Sequence, residues 1–315
     1  MRAPRPGRAT SRSGVRGASA GRGGRVPLWI PLGLAAAGAI WLGSSLERSV
    51  AAAGFATVDL CRARLEAPAG FRDPRWEQYL ALHLASLPPV DATDHAAVRA
   101  VAREVGRLPF VAEVLEPRVL WPDGIEVPLR LREPAACVQA GADFLAVSSD
   151  GVVLPGRWSR PPLVGERFLP VIGPNDGRFD GVVGGERLAE PCDLDALAVA
   201  LSMRASLSPE DFALTGPPLV DASRARQASV EEPGVRIQFG GRRTVHFGRA
   251  PGAGQPGELP TQLKWAHVQR ALACLRPEGG ARDWSLLDAR WDDADIAWRA
   301  SAEPDRTAEA PPVRR

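Results

Sequence analysis

The chain has 315 residues, 45% of them apolar, which suits one or two packed domains and is unlike a disordered or collagen-like composition. Its formal net charge of +2 hides an asymmetry: residues 1–25 hold seven arginines and no acid, and removing those seven from 39 leaves 32 basic residues against 37 acidic ones. The part that folds has no basic excess, which excludes a nucleic-acid reading built on overall charge.

Residues 1–25, rich in Arg, Gly, Ser and Ala, read as a basic disordered tail. Residues 26–46 carry no charge, and as a helix they would rise roughly 31 Å, against a bilayer core of about 30 Å. They are expected to form a transmembrane helix flanked by Trp29 and Trp41. The arginines before it would place the N-terminus in the cytoplasm. A cleaved leader ending near Ala51–Ala53 is the competing reading, which the long basic stretch disfavours.

Beyond residue 52 the pattern changes. Residues 55–65 alternate as a strand. Asp73-Pro74 is a helix start, with Trp76, Tyr79, Leu80, Leu82 and Leu84 following and Pro88-Pro89 as the stop. Asp94 opens a second helix whose Val98, Val101, Ala102, Val105 and Leu108 share a face. Residues 111–121 and 125–133 are strand-like and flank a Pro-Asp-Gly turn, the signal of a hairpin.

Further on, 144–148 and 152–154 flank Asp150-Gly151 as another hairpin, and 155–190 is Gly/Pro-rich and irregular, with an apolar piece at 168–172. A helix is expected over 193–207 with Leu194, Leu197, Ala198 and Leu201 on its apolar face. Residues 235–239 and 244–247 form a hairpin, 259–275 a helix, and 284–291 and 295–299 strands; 301–315 reads as a disordered tail.

One block is specific. Leu108-Pro109-Phe110-Val111, then Arg118-Val119-Leu120-Trp121-Pro122, the apolar strand 125–131, and Arg132-Glu133-Pro134-Ala135-Ala136 together resemble the FtsQ/DivIB cell-division family, with Arg132-Glu133 in reversed order. Asp150-Gly151, residues 169–174, Lys264 and Leu287-Asp288-Ala289-Arg290 resemble later motifs of that family. The resemblance implies an α+β fold. A POTRA domain (β-α-α-β-β) over 52–136 would be followed by a mixed β-sheet domain with flanking helices over 137–300.

It also implies a non-catalytic divisome scaffold. Such a protein sits in the cell inner membrane with its bulk in the periplasm, gathers at the division septum, and binds FtsB/FtsL-like membrane partners by sheet-edge augmentation. An anchored POTRA component of a secretion or envelope-assembly complex is the alternative. Within 284–299 the candidate partner-binding residues are Leu287, Asp288, Arg290, Trp291, Ile296 and Trp298, the tryptophans serving as interface anchors or as core.

Enzymatic chemistry is not expected. His83, His95, His246 and His267 are scattered, and no hydrolase, protease or Walker signature occurs. The Gly-x-Gly-x-x-Gly at 252–257 contains Pro256, which lacks an amide for a phosphate, so no cofactor and no small-molecule substrate are assigned. Cys61, Cys137, Cys192 and Cys274 are too far apart for a zinc site. They fit one or two disulfides or four buried thiols.

Overall fold

The computed structural model describes residues 29–52, 57–58, 60, 63–66, 73–120, 124–174, 176–253, 257–276 and 282–299. The expected tails, Cys61, Trp121 and Pro122, and residues 254–256 of the glycine motif lie outside them. The chain divides into two units, residues 1–55 and 56–315.

Helix α1 (Trp29–Ala52) is the described element of the first unit. It corrects an expectation: among the described residues no helix is long and apolar enough to cross a membrane. Length is not what fails, since 24 residues rise about 36 Å. Sustained apolarity does. Gly33, Gly38, Gly43, Ser44 and Ser45 interrupt the alanine- and leucine-bearing run, and the last turns carry Glu47 and Arg48. The transmembrane helix is therefore withdrawn; α+β with a mixed sheet stands.

The second unit begins with short strands β1 (Thr57–Val58) and β2 (Ala63–Glu66), then α2 (Pro74–Ala85), β3 (Val90–Asp91), α3 (His95–Val105), β4 (Val111–Val114), β5 (Arg118–Leu120) and β6 (Gly124–Leu131). Both helices start where their caps dictate. Asp73 accepts from the Arg75 amide at 3.0 Å, and Asp94 accepts from those of Ala96 and Ala97 at 2.8 and 3.2 Å. β6 is central: β2 pairs with it in parallel, β4 and β5 antiparallel. Trp76, Leu80 and Leu84 of α2 and Val98, Val101, Ala102 and Val105 of α3 pack on this sheet, with Trp76 stacked on Phe110 at 5.5 Å. Tyr79 and Leu82, apolar residues of the same expected helix, are exposed, Leu82 by 70%. The face that docks is set by the sheet, and α2 buries only its i, i+4, i+8 row.

The second sheet has eight strands: β7 (Pro134–Ala140), β8 (Asp143–Ser148), β11 (Val171–Ile172), β12 (Leu219–Asp221), β13 (Val235–Phe239), β14 (Arg243–Gly248), β15 (Trp284–Asp288) and β16 (Asp295–Trp298). Their order is β16-β15-β14-β13-β12-β11-β7-β8. β11 runs parallel to β7 and β12, β14 parallel to β15, and the other pairs are antiparallel. β9 (Leu163–Val164) and β10 (Arg167–Phe168) form a separate two-stranded hairpin. Helices α4 (Pro191–Ser206), α5 (Pro209–Thr215) and α6 (Thr261–Ala273) share the core built on Ile237, Phe239, Val245, Phe247, Trp265, Trp284 and Leu287.

On α4 the buried side chains are Asp193, Ala196, Leu197, Val199, Ala200 and Met203, whereas Leu194 is exposed. The expected face is thus rotated: small residues let α4 sit close to the sheet, and that contact outweighs the leucine spacing.

β7 joins the two halves. Ala136, Val138 and Ala140 belong to the core of the eight-stranded sheet, while Cys137 belongs to the core that also holds Trp76 and Phe110. The boundary expected at 136/137 falls inside this strand.

Candidate protein-binding edge

β15 is held from both sides and β16 from one. Leu287 is fully buried and pairs with Ile296; Trp284 donates its indole N–H to the Ala271 carbonyl at 3.0 Å, fixing β15 on α6. On β15 the Ala289 amide, just past the strand, donates to His246 of β14. Amides alternate sides along a strand, so Leu286 and Asp288 are left to bond β16, through their register partners Ala297 and Asp295. The Arg299 amide, two residues after Ala297, donates to Asp283 at 3.0 Å and continues that series. Ile296 and Trp298 consequently turn their N–H and C=O groups away from β15, along an edge that no described strand covers. The opposite edge is different: β8 is bridged by residues 152–158, with Leu154 donating to Ala146 and Trp158 to Phe144.

The six candidate residues have distinct placements. Leu287 is core. Asp288 and Arg290 form a pin: the guanidinium Nε and Nη2 meet the carboxylate at 2.9 and 2.7 Å, and Nη1 and Nη2 reach the Ser229 and Val230 carbonyls at 2.7 and 3.1 Å. Arg290 is 5% exposed and fully engaged, so its role is to tie the 229–230 loop to the end of β15. Trp291 is half-buried beneath that guanidinium, 5.2 Å from its ring centre. Ile296 packs partly on the core. Trp298 is 40% exposed at the edge, with the Arg282 guanidinium 4.8 Å over its ring.

The surroundings are charged. Arg243 meets Asp283 at 2.8 Å; burial pushes the Asp283 carboxyl up, but the bond from Arg243 and the nearby cations outweigh it and hold it below the usual carboxylate range. His246 lies beside Asp288 in register. Burial pulls its imidazole below the ordinary value, Asp288 opposing and Arg290 and Arg236 adding to the shift.

Behind the edge, Lys264 and Glu258 form an ion pair at 2.6 Å with each side chain 4% exposed; Glu258 also accepts from the Arg249 amide. Lys264 is thus committed to anchoring the 257–260 segment. Among the described residues no three His, Cys, Asp or Glu side chains are placed to hold a metal ion, and Cys137, Cys192 and Cys274 are free thiols.

The specific block around 108–135 is a joint between the two sheets. Arg132 donates to the Pro109 carbonyl at 3.0 Å and pairs with Asp150; Pro134 opens β7; Arg118 and Glu133 are exposed. What sequence reasoning missed here is the cross-chain partner: nothing in the spacing of Arg132 and Asp150 announces contact. Neither a protein-family model nor a curated protein matches the chain.

Proposed function

We propose that this chain is a non-catalytic scaffold of the cell-division machinery that captures an extended segment of a partner protein at β16. The observation that carries the reading is the edge that no described strand covers, where the outward backbone groups of Ile296 and Trp298 lie beside an exposed tryptophan side chain. Small coiled-coil division proteins of the FtsB/FtsL type are the partners that the resemblance over 108–136 brings with it. Main-chain bonds supply affinity, and Trp298 supplies an aromatic anchor.

The test compares Trp298→Pro with Trp298→Ala in cells depleted of the native chain, each fused at its N-terminus to a fluorescent protein. Proline removes an outward donor and no bond to β15. A midcell band for the wild type, with partner recruitment lost more completely in Trp298→Pro than in Trp298→Ala, is the expected result. A uniform signal with normal division on depletion sinks the reading and leaves a component of another envelope assembly.

A further inference from the structure

A groove of about 690 Å³ runs between α3 and the β4–β5 connection, away from β16. Its helix side carries Arg99, Arg103 and Arg107, one turn apart, and its other wall is Val114, Leu115 and Pro117. Arg107 is bound to Glu104 at 2.7 Å, but Arg99 and Arg103 are exposed and meet no carboxylate among the described residues.

The backbone adds a second feature. The Leu115 amide donates to Pro128 of β6, so the Val114 amide on the alternate side faces away from β6, at a residue that lines the groove. Successive arginines four apart on a helix rise about 6 Å, and alternate residues of an extended chain advance about 6.7 Å. A row of carboxylates at positions i and i+2 of an extended segment therefore matches Arg99 and Arg103.

We propose that this groove binds an extended acidic segment of a partner protein, with carboxylates at alternate positions on Arg99 and Arg103 and apolar contact on Val114 and Leu115. A nucleic acid fits less well: two cations neutralise few phosphates, and the groove's lining holds no aromatic ring for stacking. The site is independent of the β16 edge, so either reading can fail alone.

The test uses the full chain and a fluorescein-labelled hexapeptide with glutamates at its second and fourth positions among valines, read by anisotropy at low salt. Arg99→Ala/Arg103→Ala should weaken binding about three- to tenfold, as the loss of two exposed ion pairs implies. Arg99→Glu/Arg103→Glu should instead select the matching peptide with lysines at those positions. Both variants change exposed residues, and circular dichroism checks that they fold. Three results overturn the proposal: equal binding of the glutamine-substituted peptide, no dependence on the two arginines, or preference for a single-stranded oligonucleotide or anionic phospholipid vesicles over the peptide.

Discussion

Lys264 and Glu258 show how a single residue's meaning depends on a partner that spacing hides. The lysine was conspicuous in the sequence as the chain's one lysine on a helix resembling a family motif, yet its carboxylate lies in the segment before α6. Burying both charges is costly, and removing one leaves the other unpaired, so Lys264→Ala should destabilise by about 3–5 kcal/mol while Lys264→Met/Glu258→Leu costs much less. Urea midpoints for the two variants check this; equal losses would show that the pair is not the source. His246 gives a pH dependence. Its folded value is depressed by burial, so the unfolded chain takes up its proton first; the stability it contributes is complete above about pH 6.5 and is lost as pH falls towards the lower folded value. His246→Gln should flatten the stability profile between about pH 6.5 and 5, before the carboxylates titrate.

At the scale of elements, the sequence was legible where local chemistry fixes the answer. The aspartate caps of α2 and α3, the hairpins β5–β6 and β13–β14, and α6 all formed within a few residues of their expected places. β7 was not legible, because a strand buried on both faces shows no alternation, and its Pro-Ala-Ala-Cys start reads as a turn. α5 is short, seven residues held by a capping box between Ser208 and Asp211. Helix α1 misled in the other direction: absence of charge over 26–46 imitated a membrane span that its glycines and serines do not sustain. The candidate edge was half legible, since the strands at 284–299 were expected but which backbone groups face out depends on their pairing. That pairing supplies a control for the Trp298→Pro test: Ala297→Pro removes a bond to β15 and should lower stability measurably, whereas Trp298→Pro should melt close to Trp298→Ala. Identical melting of both proline variants would mean that the alternation has been assigned to the wrong residues.

For the molecule as a whole, the question is whether two sheets make one cooperative unit. The sequence suggested a seam at 136/137, but contacts cross it repeatedly: the Trp76 indole donates to Pro155 at 2.8 Å, the Arg75 guanidinium lies 5.1 Å over Trp158, and Arg132 pairs with Asp150. Cys137 sits at the crossing, buried on β7 with its thiol pushed far above the ordinary value by burial. Such a thiol reacts only when the structure around it opens, so its labelling rate reports that opening. Trp76→Ala, in the first core, and Trp284→Ala, in the far part of the second, should each cost about 3–5 kcal/mol. If residues 56–315 unfold together, both variants speed Cys137 labelling by about a hundredfold or more, measured site by site by mass spectrometry, with Cys192 and Cys274 as half-buried references. If instead the sheets open independently, Trp284→Ala leaves Cys137 as protected as in the wild type while Trp76→Ala exposes it. The first outcome would make β7 a rigid link through which strain on one binding surface reaches the other; the second would make β16 and the α3 groove separate modules on one chain.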